Sequence, residues 1–375
     1  MRKLNLSAPI NTLGYGVVGL NIFKYALLNN FHISLFPMGK IDTANAHDED
    51  IAMIQQSVAA ANRLDNPDAP SLKIWHEFAL AERVGSGPSF AFPFFEINHF
   101  NQARINHLGS VDHIIVASKW AENIIHNHLP SASTHVVPLG VNASIFSYKS
   151  RQTTDKCVFF NCGKWEKRKG HDVILEMFKK AFPTEQDVEL WMMCSNPFLS
   201  PKQRQEWERY YSSDSRAKVL DRVQNQVDVA NIMSATNCGL FPSRAEGWNL
   251  ELLEMMSMGK HIITTNYSAH TEFCNDSNCD LINITDLEPA DDGGVFFDGT
   301  LGEWASINSN AMSQGVEYMR LFYERWKSDN SILNKEGIQT AQEFSWNNTI
   351  QQLEEAIYGT QSTETQQVCA TTIEG

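Results

Sequence analysis

Residues 237–259 read NCGLFPSRAEGWNLELLEMMSMG. An apolar run ends at Pro242-Ser243, a short loop Arg244-Ala245-Glu246-Gly247 follows, and a helix is predicted to begin near Asn249. In a parallel sheet, ligands bind beyond the carboxyl ends of the strands, which is where such a loop stands. The helix N-terminus offers free backbone N–H groups and a positive dipole end, a seat for a diphosphate. Glu254 lies about five residues into the helix, ~7.5 Å along its axis, with its side chain leaning back toward the start. Glu246 precedes it in the loop. Two carboxylates therefore bracket an anion seat, and each can accept hydrogen bonds from hydroxyls. This suits a molecule with a sugar at each end of a diphosphate. The plainer alternative is a solvated loop Glu followed by a surface Glu near a helix start, where the dipole favours acids in any case.

A second segment points the same way. The apolar run Phe159-Phe160-Asn161-Cys162-Gly163 leads into Lys164 and Trp165–Gly170 (WEKRKG), ahead of a helical pattern at 172–181. This sets Lys164, Lys167, Arg168 and Lys169 at the carboxyl end of a strand, where cations can neutralise a departing diphosphate. A solvated basic turn is the alternative.

Short apolar runs alternate with helical patterns along the whole chain, which predicts parallel sheets flanked by helices. Strands are expected near 4–10, 32–38, 71–78, 89–95, 113–118 and 134–138, and again near 156–162, 188–195, 217–222, 237–242, 261–265 and 279–284. The polar stretch 147–155 (SYKSRQTTD) separates the two series as a linker. The expected division is a first domain over 1–150, a second over 151–345, a closing helix over 346–358 returning to the first domain, and a disordered polar tail over 359–375.

At 375 residues the chain is long enough for two such domains. Its 30 Lys+Arg against 44 Asp+Glu give a net charge of −14. The first 150 residues carry only −1 of this and the remainder −13. General binding to nucleic acid is disfavoured, since phosphate backbones attract clustered Lys and Arg. Seven cysteines at 157, 162, 194, 238, 274, 279 and 369 follow no ligand spacing and read as structural thiols of a reducing compartment, with Cys157, Cys162, Cys194 and Cys238 in or beside apolar runs. No leader segment and no apolar run of ~18 residues stands in the chain. The expected location is cytoplasmic, extending to the inner membrane surface if the acceptor is lipid-linked.

The segment 237–259 resembles the E-x7-E signature of the retaining GT-B glycosyltransferases of family four, with Glu246 and Glu254 at the two Glu positions. Val137-Pro138-Leu139-Gly140-Val141-Asn142 with Phe146 is similar to that family's interdomain stretch. Gly163-Lys164 and Lys169-Gly170 resemble its donor-phosphate loop, and Phe344-Ser345-Trp346 the start of its closing helix. The resemblance implies two Rossmann-like α/β domains facing across a cleft, with a sugar nucleotide in the second and an acceptor in the first. It implies contact of Glu246 with the transferred sugar and of Glu254 with the ribose. Lys169, and Lys164 where the family more often has Arg, would hold the diphosphate. Gly247, Trp248, Asn249 and Leu250 would supply backbone N–H groups, and the base would lie near Arg222-Val223. Asn249 stands where the family more often has Gly.

In the first domain, Gly14-x-Gly16-x-x-Gly19 is formally a dinucleotide fingerprint. The acid that should close the second strand is missing, since that strand ends in Pro37-Met38-Gly39 with Asp42 beyond it. The resemblance gives Gly14 and Gly16 a role in positioning the donor phosphate or acceptor; a tight turn is the alternative. His76, at a strand end in Ile74-Trp75-His76-Glu77, matches a His the family often keeps near the donor sugar; a hydrogen-bonded core His is the alternative. Asp48-Glu49-Asp50 mimics a metal-binding D-x-D but precedes an amphipathic pattern and reads as an acidic helix start. No essential metal and no cofactor beyond a UDP- or GDP-linked co-substrate are expected.

The reading that follows is transfer of a hexose, with retention, from a nucleotide sugar to an acceptor hydroxyl of a glycan or glycolipid. A glycosyltransferase acting on a modified DNA base, a non-catalytic sugar-nucleotide binder and an NAD-dependent oxidoreductase are the alternatives. Peripheral membrane contact is compatible with transfer to a lipid-linked acceptor.

Overall fold

The computed structural model describes residues 2–44, 46, 48–148 and 155–359. Most of the expected linker at 147–155, and the expected tail beyond Gly359, lie outside the described residues. The chain forms two compact units. The first takes the described residues of 1–95, 101–140 and 344–375, and the second those of 96–100 and 141–343. The short run Glu96–Phe100, which the sequence gives no reason to separate from its neighbours, thus packs with the second unit.

The first unit holds six parallel strands: β1 (Arg2–Ala8), β2 (Phe31–Pro37), β3 (Ser71–Lys73), β4 (Ser89–Ala91), β5 (His113–Val116) and β6 (Thr134–Val136). Their order is β2-β1-β3-β4-β5-β6. Leu4, Leu6, Leu35, Leu72, Ala91 and Ile115 are wholly buried, as both faces of a parallel sheet require. The order reverses between β1 and β3, so the loops leaving these two strands flank the crevice where ligands enter such sheets. β3 and β4 are shorter than their apolar runs suggest. Beyond Lys73 and Ala91 those runs continue as irregular backbone, carrying Trp75, His76 and the Phe cluster.

The second unit repeats the scheme with β7 (Cys157–Gly163), β8 (Val188–Cys194), β9 (Ala217–Val219), β10 (Cys238–Phe241), β11 (His261–Thr265) and β12 (Asp280–Ile282). The order β12-β11-β10-β7-β8-β9 is the Rossmann order read from the far edge, and it reverses between β7 and β10. A hairpin of β13 (Leu287–Asp291) and β14 (Asp298–Ala305), absent from the sequence reading, adds a two-stranded sheet. Its strands are too polar to signal themselves, and Ala290, Trp304 and Ala305 bury its inner side. Residues 292–297 connect its two strands.

The closing helix Trp346–Glu354 is followed by a π-helical turn, Glu355–Gly359. Ser345 caps it by accepting from the Asn348 amide, and Thr349 Oγ1 donates to the Pro138 carbonyl at 2.9 Å. A Cβ on Gly140 would stand 2.1 Å from the Trp346 nitrogen. Gly140→Ala is therefore expected to cost about 1–3 kcal/mol through overpacking, read as a lowered Tm. An unchanged Tm would mean that the helix start gives way freely.

No helix among the described residues is long and apolar enough to cross a membrane.

Candidate active site

β7 and β10 are parallel neighbours at the order reversal of the second sheet, with Cys238 beside Phe159 and Gly239 beside Phe160, so the loops leaving both strands stand at the same edge. From β7 the chain runs through Lys164 into a 3-10 turn, Lys167–Lys169, and then the helix His171–Ala181. From β10 it runs through Pro242–Gly247 to the helix Leu250–Ser257. Gly170 joins turn and helix at φ 76°, and a Cβ there would meet the Pro242 carbonyl oxygen at 2.3 Å. This close approach brings the basic turn onto the Glu246 loop, and the Arg244 amide donates to the Arg168 carbonyl at 2.6 Å.

Glu246 is the centre of the site. Arg168 Nη1 donates to its Oε2 at 2.7 Å, and Lys169 Nζ and Ser243 Oγ donate to its Oε1 at 3.0 and 2.9 Å. Its own amide donates to Ser268 Oγ at 2.8 Å. Burial pushes the carboxyl up, but Arg168 and Lys169 outweigh this and hold it well below the usual range. The same carboxylate keeps Lys169 firmly protonated despite burial. Arg168 also donates to Glu166 at 2.6 Å, and Lys164 pairs with Glu166 at 2.7 Å. Burial raises Glu166 while Arg168 and Lys164 lower it further, so it too stays ionised. Glu96, from the segment that packs with this unit, stands 3.9 Å from Arg168, and burial raises its pKa.

Two buried histidines brace the network as neutral rings. Burial and Lys169 bring His171 down to about 3. Its Nδ1 accepts from the Glu166 amide at 3.1 Å, so Nε2 carries the proton shared with Asn161. Burial lowers His270 to about 4. It lies 2.9 Å from Asn249 Nδ2 and donates through Nδ1 to the Thr265 carbonyl.

Asn249 caps the helix at φ 87°, in the left-handed region that favours glycine, and its Oδ1 accepts from the Leu252 amide. Asn is among the few other residues that tolerate this conformation, so the loop shape survives the replacement. The amides of Gly247 and Leu250 meet no acceptor among the described residues, as expected just ahead of and at a helix start. Trp248 is buried against Phe273, with ring centroids 4.8 Å apart. Glu254 is 8% exposed with no hydrogen-bond or ion-pair partner among the described residues. Burial and nearby Glu251 raise its pKa well above the ordinary value. Glu254→Gln is therefore expected to stabilise the ligand-free chain by about 1 kcal/mol, or roughly 2–4 °C in Tm. A fall in Tm would mean that the carboxylate is already satisfied.

The structure thus gathers Glu246, Lys169 and Lys164 into one network, with Gly247 to Leu250 and Glu254 on the adjoining helix. It corrects the picture of free cations, since Lys164 and Lys169 are each paired with a carboxylate. Arg168, counted in sequence only among the basic residues of the turn, is the hub. Glu166, Ser268 and His270 carried no sequence signal, because their roles depend on the packing of separate loops. Arg222 and Val223 lie past β9, which ends at Val219 rather than near 222.

In the first unit, the helix start Gly14–Gly16 reaches His76 through Tyr15, whose ring centroid lies 4.6 Å from that of His76, at the order reversal of its own sheet. Tyr15 Oη lies 3.2 Å from His76 Nδ1 and donates to the Phe94 carbonyl at 2.8 Å. The glycines open the helix Gly14–Leu28 instead of forming a loop before it. A Cβ on Gly16 would strike the Asn11 backbone at 2.4 Å, whereas one on Gly14 would meet nothing within 4 Å. Gly16 is thus required for packing, and Gly14 leaves open space. Asp48, Glu49 and Asp50 form the first turn of the helix Asp48–Asn62, with Lys24 on Asp50 at 3.1 Å. Among the described residues no cluster of three His, Cys, Asp or Glu could hold a metal ion.

A family model described as Glycosyl transferases group 1 matches residues 156–290, the stretch that carries this network. A putative glycosyltransferase 45 of Sulfolobus islandicus filamentous virus (isolate Iceland/Hveragerdi) is 23% identical over 168 residues. That match spans 44% of this chain and 44% of the viral protein. Sucrose-phosphate synthase from Thermosynechococcus elongatus superposes with a TM-score of 0.69 at 13% identity, covering 97% of this chain and all of that one. Anabaena HepE in complex with UDP and glucose gives 0.68 at 12% identity, covering 96% of this chain and all of that one. The fold is GT-B.

Proposed function

We propose that the protein is a retaining glycosyltransferase of family four, moving a hexose from a nucleotide-diphosphate sugar to a hydroxyl of a glycan or lipid-linked glycan. The observation that carries the reading is the buried Glu246 carboxylate, fixed by Arg168 and Lys169 at the carboxyl ends of β7 and β10. The family match over the same stretch supports it. A second support is Glu254, whose carboxylate is buried without a partner among the described residues just over one turn into the helix, where ribose hydroxyls would supply the donors it lacks.

In this reading the helix start and the cations receive the diphosphate. Lys164, about one-third exposed and ion-paired with Glu166, is the cation best able to turn toward the phosphates. Lys169, held protonated by Glu246, offsets the negative charge that grows as the glycosidic bond to the diphosphate breaks. Glu246, kept ionised, accepts from sugar hydroxyls and stabilises positive charge developing at the anomeric carbon. Proton removal from the acceptor falls to the departing phosphate. His76 and the open space beside Gly14 shape the acceptor side. The charge work is done by Lys and Arg, so the reading needs no metal and no cofactor beyond the co-substrate.

A thermal-shift panel of UDP-, GDP- and ADP-sugars, free nucleotides and NAD(H) tests it. A ligand at 100 times its Kd stabilises by about 2.7 kcal/mol. Stabilisation by one nucleotide-sugar class is expected, lost in Glu254→Ala. A response to NAD(H) alone would overturn the reading in favour of an oxidoreductase.

A further inference from the structure

On the other side of the basic turn, the second unit has a cavity of about 410 Å³ that the transfer site does not use. Its walls are the turn Trp165–Lys167, the helix Pro201–Tyr211 and the hairpin connection 292–296. The volume lies in the range of small-molecule sites.

The aromatic wall is ordered. Trp207 stacks on buried Trp165 with centroids 5.5 Å apart and planes within 6°. Tyr210 meets Trp207 edge-on at 6.4 Å and donates to the Asp172 carbonyl. Phe296, 42% exposed, stands at the rim. Its ring meets exposed Phe198 edge-on at 5.7 Å, which leaves an aromatic face open to a ligand at the mouth of the cavity.

The polar wall decides what that ligand is. Four carboxylates line the cavity, yet three are already engaged. Glu166 is taken by Arg168 and Lys164, and Asp172 by Arg244. Asp292 Oδ1 accepts the amides of Val295, Phe296 and Phe297 at 2.8, 3.1 and 3.1 Å. The fourth, Glu206, has only a loose 4.0 Å contact with exposed Lys202, so its carboxylate can still accept from a ligand; beside it stand Lys167, of opposite sign, and the Gln203 amide. Lys167 Nζ has no partner among the described residues. Gln203 commits its carbonyl to Ser200, leaving its NH2 without an acceptor among them. Asp292 keeps its charge but spends its Oδ1 on backbone amides, and Glu206 and Lys167 are opposite in sign, so the wall offers hydrogen bonds of both senses in place of one bare charge. Aromatic faces combined with one acceptor, one cationic donor and one amide donor match a pyranose, with its C–H face and rim of hydroxyls.

We propose that this cavity is a second carbohydrate site, binding a neutral sugar unit apart from the donor seat. That this unit belongs to the acceptor glycan rests on the glycosyltransferase reading; the sugar site itself does not. The two sites share one turn. Lys164 Nζ lies 4.8 Å from the Phe296 ring centroid, and Glu166 connects the cavity wall to Arg168. A glycan held here would be anchored within one turn of the transfer network.

The test titrates the full chain with maltotriose, cellotriose, mannotriose and chitotriose, followed by tryptophan fluorescence and calorimetry. Spermidine serves as the cationic control. One trisaccharide is expected to bind with Kd at or below about 1 mM, undisturbed by saturating UDP, GDP or ADP. Trp207→Ala is expected to weaken it at least tenfold. Because Trp207 packs on Trp165, Phe296→Ala serves as the second variant, expected to weaken binding severalfold with Tm unchanged. No binding by any trisaccharide, binding unaffected by both substitutions, displacement by the nucleotides, or a preference for spermidine would each overturn the proposal. Trisaccharide binding without transfer from any nucleotide sugar would strike only the proposed function. Transfer without trisaccharide binding would strike only this site.

Discussion

Glu246→Gln is expected to lower kcat at least about 100-fold, comparable to loss of one fixed electrostatic group from an active site. The amide has nearly the same size and can still accept from Ser243, so the loss isolates the charge. It also leaves Arg168 and Lys169 with one fewer counter-charge, which shifts the site toward anions. KM for the nucleotide sugar should therefore stay level or fall while kcat collapses, a split that simple unfolding would not give. Lys169→Ala is expected to reach a similar loss in kcat from the opposite side, by removing the cation that in the proposed mechanism meets the leaving diphosphate. Initial rates with the donor identified by thermal shift decide both. A Glu246→Gln enzyme within about threefold of wild type would remove Glu246 from the mechanism, because groups that stabilise a transition state typically cost far more when lost.

Arg168→Met carries the largest expected effect on stability. The guanidinium is 5% exposed and binds Glu246, Glu166 and the Ala245 carbonyl. Removing one member of a buried ionic network leaves uncompensated charge and typically costs about 3–5 kcal/mol. Denaturant unfolding of the ligand-free chain measures it. Adding Glu166→Gln to Arg168→Met should recover part of the loss, and a purely additive double mutant would show that the network is not coupled. Acid acts on the same groups. Glu246 and Glu166 have folded pKa values below that of an unfolded Glu, about 4.3. Their contribution is therefore complete above that value and is lost as pH falls through it toward the folded values. Arg168→Met, in which both carboxylates lose their main cation, should show a shallower loss of stability between about pH 4.5 and 3 than wild type. An identical slope would mean that other carboxylates govern the acid limit.

The alternation of apolar runs was enough to place all six strands of each sheet, because burial on both faces leaves little room for polar residues. It overran the ends of β3, β4 and β9, where apolar or mixed residues continue past the last ladder bond. Periodicity reports burial and does not report pairing. The hairpin at 287–305 escaped because one side faces water and its strands are broken by Pro289, Gly299 and Gly302. Glu246, Glu254, Lys164 and Lys169 were legible because each lies at a fixed distance from a strand end or helix start. What those residues touch was not. That Arg168 is central, or that Glu96 reaches the network from far earlier in the chain, depends on loops meeting in space.

The first unit is assembled from both ends of the chain, with the closing helix at Trp346 seated on Gly140 and Pro138. During synthesis the six strands of the first sheet emerge early, whereas their last helix follows about 200 residues later. At roughly 5–20 residues per second, that is a delay of about 10–40 s. Throughout that interval the surface that receives Trp346, Ile350 and Leu353 has no cover of its own. The nascent first half is therefore the species that most needs a chaperone, and chains released before residue 346 should be cleared as unfinished.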